Sequence, residues 1–211
     1  MTVGFDLDMT LIDPRPGMVA LMDVLEDETG LDLQGERFAA NLGPPLDLVL
    51  RDRGVPEERV PELVDRFRAL YPDVVIGPTT ALPGAADALA AVRRNGGRTL
   101  VVTGKYAPNA ELHVRALGFE VDHLVGELWA SAKAQALVEH GAVAYVGDHR
   151  GDMAGALAAG VVGIGVTTGP CSRAELMEAG AETVLDSLAE LSPWLVRNAE
   201  RLEDRRSQKR R

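Results

Sequence analysis

The chain has 211 residues, 46% hydrophobic and 26% charged, a globular composition long enough for one full-sized domain with an extension. Its net charge of −10 disfavours non-specific binding to nucleic acid or anionic membrane, and it makes an anionic substrate awkward unless a metal or local cations reverse the field at the site. No apolar run approaches the roughly 20 residues that span a bilayer, no secretory leader is expected, and the single cysteine, Cys171, rules out an internal disulfide, so a cytoplasmic setting is the simple expectation.

The apolar run at Val3–Phe5 reads as a short buried strand. A helical period over 16–29 puts Met18, Leu21, Met22 and Leu25 on one face, and Gly30 ends it. From Leu33 to Tyr71 the period stays helical, interrupted by GPP at 43–45 and GVP at 54–56. No strand pattern occurs between Asp13 and Gly77, so residues 14–79 are expected to form an all-helical insert.

Beyond it, helices at 85–94, 109–117, 131–140, 152–159 and 172–178 alternate with strands at 98–102, 121–125, 142–146, 161–166 and 182–185, and a last helix follows Ser187. Strands and helices in alternation imply right-handed crossovers and a parallel sheet, and near-continuous apolar strands imply that both faces are covered. The expected organisation is a core of residues 1–13 and 80–198, the insert 14–79, and a flexible basic tail 199–211 that ends in RLEDRRSQKRR. That tail is expected to be a solvated end, with a weak contact to an acidic partner as the alternative.

Polar residues gather after the strands. Asp6 and Asp8 follow the first, Thr103 and Gly104 follow RTLVV, and Asp148 and Asp152 follow AYVG. In an open parallel sheet ligands bind beyond the carboxyl ends of the strands, so these residues and Lys133 are expected at one edge. A single strand-end aspartate is readily a helix cap, which is an open reading for Asp152. Four acids at one edge either shift each other's titration or hold a cation. All-oxygen ligands favour a hard ion, and Mg2+ suits a site that also holds phosphate. A cation beside an anion-binding edge points to phosphoryl transfer.

DLDMT at Asp6–Thr10, VVTG at Val101–Gly104, Lys133 and GDHRGD at Gly147–Asp152 together resemble the four ordered motifs of the haloacid dehalogenase (HAD) superfamily. The insert resembles the C1 cap of its phosphoglycolate phosphatase-like branch. The resemblance implies an α/β fold: a Rossmann-like parallel sheet with the cap closing over the site. It implies an Mg2+-dependent phosphatase acting on a small phosphorylated metabolite, with no nucleic-acid or membrane partner. It assigns Asp6 as nucleophile and Asp8 as general acid and base. It assigns the metal to Asp6, the backbone carbonyl of Asp8, and Asp148, with Asp152 as ligand or anchor. Phosphate contacts fall to Thr10, Thr103, Gly104 and Lys133, and Lys133 also restrains Asp6. Gly43, in GPP, resembles the cap loop that faces the substrate, although a plain helix break explains it equally well. An acid two residues after the nucleophile argues for phosphatase or phosphomutase over dehalogenase. A phosphomutase is the alternative, and a non-catalytic regulatory protein on the same fold is a more distant one.

Two positions depart from the family pattern. Met9 stands where glycine is frequent, and a positive φ there would cost about 1–2 kcal/mol. Lys133 is followed by Ala134 instead of proline, after a short segment from Gly126. Among weaker signals, His149 reads as a solvated loop residue, with a substrate contact as the alternative. His113, His123 and His140 read as structural. The glycines of VVGIGV and of TTG at Thr167–Gly169 read as packing or turn positions. Arg51 and Arg53 could meet a polar leaving group or simply be solvated.

Overall fold

The computed structural model describes residues 1–208. Strand β1 (Thr2–Phe5) is buried throughout and leads through a turn into β2 (Ile12–Asp13). Four helices follow: α1 (Arg15–Thr29), α2 (Gly35–Ala40), α3 (Leu46–Asp52) and α4 (Val60–Val74). Pro16 sits in the first turn of α1, where no amide proton is needed, and Gly30 ends the helix at φ 68°. The chain returns through β3 (Thr80–Ala81), which pairs antiparallel with β2 so that Ile12 faces Ala81. The two crossings between insert and sheet therefore run side by side. The insert has an apolar cluster of its own, built on Met18, Leu21, Met22, Phe38, Leu63, Phe67 and Tyr71.

The remainder alternates α5 (Ala85–Arg94), β4 (Arg98–Val102), α6 (Ala107–Ala116), β5 (His123–Val125), α7 (Lys133–Glu139), β6 (Ala142–Gly147), α8 (Arg150–Ala159), β7 (Val162–Val166), α9 (Arg173–Glu178), β8 (Thr183–Leu185), α10 (Leu191–Arg197) and α11 (Ala199–Gln208). The six-stranded sheet has the order β5-β4-β1-β6-β7-β8, with every pair parallel. From β1 the chain builds outward through β4 to β5, then crosses to β6 and builds outward the other way. The reversal falls between β1 and β6, which makes the crevice beyond their carboxyl ends the expected ligand site.

Both faces of the sheet are covered. Phe5, Val101 and Val146 pack with α5, α10 and Leu202 of α11, while Leu100, Val102 and Tyr145 pack with α7 and α8. None of the helices among the described residues is long and apolar enough to cross a membrane.

Three expectations shift. Helix α6 begins at Ala107 instead of 109, because Pro108 fits a first turn and so starts the helix. Helix α8 begins at Arg150, capped by His149. Residues 199–208, expected as a flexible tail, form α11: Leu202 is fully buried, and Arg201 and Arg205 both pair with Glu182. One apolar anchor and a shared acid hold a segment whose composition is otherwise that of a solvated end. Residues 209–211 of the expected tail lie outside the described residues.

Candidate active site

The loop after β1 places its two aspartates in different surroundings. Asp6 is buried, and its Oδ1 accepts from Lys133 Nζ at 2.7 Å. Asp8 turns the other way, its Oδ2 3.0 Å from Lys105 Nζ, and its buried Oδ1 has no hydrogen-bond partner. The turn between them and β2 requires Met9 at φ 56°, the strained conformation foreseen for that position. Burial of the Met9 side chain in the insert's apolar cluster offsets a cost of about 1–2 kcal/mol, since burying a methionine stabilises by about 1.5–3 kcal/mol.

Lys133 is the electrostatic centre. It is 1% exposed, and its three protons go to Asp6 Oδ1 (2.7 Å), Asp152 Oδ1 (2.6 Å) and the Tyr145 hydroxyl (2.9 Å). The short segment before it is compressed by positive φ at two non-glycine residues, Glu127 (61°) and Ala130 (49°). Gly155 of α8 then lets the turn approach: a Cβ there would lie 2.9 Å from the Ala130 carbonyl and 3.1 Å from Lys133 Cβ. Lys133 thus ties Asp6 and Asp152 together through one ammonium. A direct phosphate contact would have to displace one of its three partners.

Asp152 combines both readings left open for it. Its Oδ2 accepts from the His149 backbone N–H (3.0 Å) while Oδ1 holds Lys133, so both oxygens are engaged. His149 is not a solvated loop residue. It is half-buried, its Nδ1 caps α8 by accepting from Gly151 N–H (3.0 Å), and its ring packs at a tilt against Trp129, centroids 5.0 Å apart. Thr10, expected among the phosphate contacts, is fully buried, and its hydroxyl donates to Asp148 Oδ1 (2.7 Å). Its hydroxyl is thus engaged by an acid, and it is not among the residues that line the small pocket.

Asp6, Asp148 and Asp152 each bring one carboxylate oxygen within 4.8 Å of the others, all buried; Asp8 is not part of this cluster. Burial, first, and the neighbouring acids push Asp6 up to about 7 against the pull of Lys133, and push Asp148 well above its ordinary value. Burial works against the charge on Lys133, but Asp152 and Asp6 outweigh it and raise its pKa. Three buried carboxylates have one ammonium among them, which pairs with Asp6 and Asp152 and cannot balance all three when ionised. Hard oxygen donors with surplus charge fit a divalent cation such as Mg2+. Lys133 engages Asp6 through Oδ1 and Thr10 engages Asp148 through Oδ1.

Gly169 of TTG is the close approach that shapes Asp148: a Cβ there would lie 1.8 Å from Asp148 Oδ2. Gly169→Ala is expected to cost about 1–3 kcal/mol and to weaken cation affinity, because the aspartate must move. Urea unfolding and calorimetric Mg2+ titration check this. Wild-type values in both would show that the loop yields freely.

Thr103 and Gly104 line the same small pocket as Asp6, Asp8 and Gly43. Thr103 Oγ1 accepts from Lys105 N–H at 3.2 Å, which leaves its own proton to donate. Gly43, at φ 143°, reaches in from the insert and packs against Trp129 and His149. Arg51 and Arg53 point elsewhere. Arg51 pairs with Asp47 and Glu57, and Arg53 donates to the Gln34 carbonyl and lies over Phe38.

Sequence reasoning missed Lys105. Its Nζ touches Asp8, donates to the Tyr71 hydroxyl at 2.5 Å and sits over that ring. Tyr71 in turn meets His113 Nε2 at 2.8 Å. Burial, with Lys105 nearby, lowers His113 to about 3, so it is neutral near pH 7. A polar chain thus runs from Asp8 through Lys105 into the insert.

With this geometry in place, the chain is similar to known proteins over nearly its whole length. A family model described as haloacid dehalogenase-like hydrolase matches residues 3–156. A phosphoglycolate phosphatase from Pectobacterium atrosepticum is 30% identical, covering 92% of this chain and 91% of that protein. Another from Haemophilus influenzae is 25% identical, covering 90% and 95%. The crystal structure of a predicted phosphatase from Clostridium acetobutylicum superposes with a TM-score of 0.80 at 23% identity, covering 93% and 98%, a likeness of fold.

Proposed function

Since the chain belongs to the haloacid dehalogenase-like hydrolase family, we propose that it is an Mg2+-dependent phosphatase that hydrolyses a small phosphorylated metabolite through an aspartyl-phosphate. The observation that carries this reading is the division of labour in one crevice: Asp6 sits in the buried acid cluster, and Asp8 meets Lys105 at the wall of the cavity under the insert.

A carboxylate oxygen of Asp6 attacks phosphorus, the bond from phosphorus to the ester oxygen breaks, and Asp8 gives that oxygen its proton. Asp8 then takes a proton from water, whose oxygen attacks phosphorus and releases Asp6 as a carboxylate. Lys133 and Asp152 keep Asp6 in one orientation, and the Thr103 hydroxyl donates to a phosphate oxygen. Bound Mg2+, held by Asp6, Asp148 and the Asp8 carbonyl, would supply positive charge where nucleophile and phosphate repel each other. The insert acts as a cap, with Gly43 closing the pocket over the phosphate.

The names of the relatives make phosphoglycolate the first ester to assay. Phosphate release from a panel of monoesters with Mg2+, lost in EDTA, is the expected result. Full release in EDTA refutes the metal's part. Transfer to a second hydroxyl instead of water would identify a phosphomutase.

The metal leaves a pH signature. Between the ordinary carboxylate value of 3.8 and about 7, folded Asp6 holds a proton that the unfolded chain has released, so metal-free stability falls as pH rises through that window. Mg2+ favours the ionised form and displaces the proton. The rise in Tm on adding Mg2+ is therefore expected to be larger near pH 8 than near pH 5. An equal rise at both would mean that the cation does not bind at Asp6.

A further inference from the structure

We propose, on the footing of the phosphatase reading above, that the physiological ester has an apolar leaving group, an aliphatic or aromatic alcohol carrying no second anionic group. The small acid pocket opens on its Asp8 side into a larger cavity of about 360 Å3 between cap and core; Asp8, Gly43, Gly104 and Lys105 line both. The group that leaves Asp8's side of the phosphate must therefore lie in that cavity.

Its walls decide what fits. Phe38, Leu42, Leu46, Val64 and Phe67 supply apolar surface. Two cations line it, and each already has an acidic partner, Lys105 in the buried wall and Arg68 at the exposed rim. Lys105 holds Asp8 and Tyr71, and Arg68 pairs with Glu127 at 3.3 Å and stacks on Tyr106 at 4.0 Å. The remaining lining charges, Asp47 and Glu127, are acidic and paired with Arg51 and Arg68, so they offer no positive charge to a carboxylate or a second phosphate. Asn109, 4% exposed, lines the cavity and offers one neutral polar contact. A two-carbon hydroxy acid would leave most of the volume empty, with its carboxylate against apolar walls and no uncommitted cation to receive it. An apolar alcohol fills the space and needs no counter-charge.

The test uses the full chain with Mg2+. Binding of ethyl, butyl, hexyl and benzyl phosphates and of phosphoglycolate to Asp6→Asn is measured by calorimetry, and kcat/KM for the same esters is measured with wild-type protein. Affinity and kcat/KM are expected to rise about 3-fold to 4-fold per methylene, as apolar burial dictates, with hexyl and benzyl phosphate at least about 10-fold ahead of phosphoglycolate. Leu46→Lys, which puts an uncommitted cation on the wall, is expected to shift that ratio toward phosphoglycolate. A flat alkyl series, or phosphoglycolate bound and turned over as well as hexyl phosphate, overturns the proposal while leaving the phosphatase reading intact. The expected binding order without phosphate release from any ester overturns the phosphatase reading alone.

Discussion

Replacing Asp6 with asparagine is expected to abolish turnover, by a factor on the order of 10^4 to 10^6, while leaving the protein folded and no less stable near pH 8. The two halves of that expectation have separate physical origins. An amide nitrogen or oxygen of the same shape cannot form the acyl phosphate, so the nucleophilic route closes. The fold does not depend on the charge. Burial and the neighbouring acids push Asp6 up to about 7, which means that the site resists its ionised form. Asparagine keeps an oxygen for Lys133 in place of Oδ1 and removes one of three crowded carboxylates. Stability is therefore expected to hold or rise above pH 7, where wild-type Asp6 must be ionised against that resistance. Phosphate release with Mg2+ and thermal melts on the same preparation check both halves. Turnover within about 10-fold of wild type would remove Asp6 as nucleophile.

Much of the core was legible because both faces of its sheet are covered. The strands around Val3–Phe5, Leu100–Val102 and Val143–Val146 are apolar runs, and such runs are read without ambiguity of face. The acids beyond their carboxyl ends were legible for the same reason, since an aspartate after a buried strand has few structural duties. What stayed hidden depends on contacts between distant segments. Lys105 follows Thr103 by two positions, as Asp8 follows Asp6, and that repeated spacing at neighbouring strands was the available signal. Alone, a loop lysine looks solvated. Its partner Tyr71 comes from α4, and His113, which holds Tyr71, comes from α6, a pairing across the cap boundary that no local period encodes. Thr10 was misplaced because its motif position carries no direction: only the fold turns its hydroxyl to Asp148 and away from the pocket. His149 was misread because its duty as a cap depends on Asp152, three residues on, accepting from its own N–H. Leu202 could not reveal α11, since one apolar residue defines no stripe.

Lys133→Met is expected to be the most destabilising single change in the site and to be rescued by acid or by cation. Methionine matches the length of the buried stem, so packing against Gly155 and Tyr145 survives and the loss is electrostatic. Three hydrogen bonds disappear at once, and Asp6, Asp148 and Asp152 face each other in a buried space without their ammonium. Breaking a buried ion pair from one side costs about 3–5 kcal/mol because the remaining charge is uncompensated. The cost has a sign in pH. Without the lysine the carboxylates hold protons even more firmly, the unfolded chain releases them at ordinary values, and stability falls as pH rises above about 4. The deficit relative to wild type is therefore expected to be small near pH 5 and largest near pH 8. A divalent cation supplies the missing charge, so saturating Mg2+ is expected to stabilise the variant more than it stabilises wild type. Turnover stays low even then, since Asp6 has lost the group that orients it. Urea unfolding at both pH values, with and without Mg2+, reads all of these terms. A deficit independent of pH and unaffected by Mg2+ would show that Lys133 serves packing alone, and that the acids around it are balanced by something other than its charge.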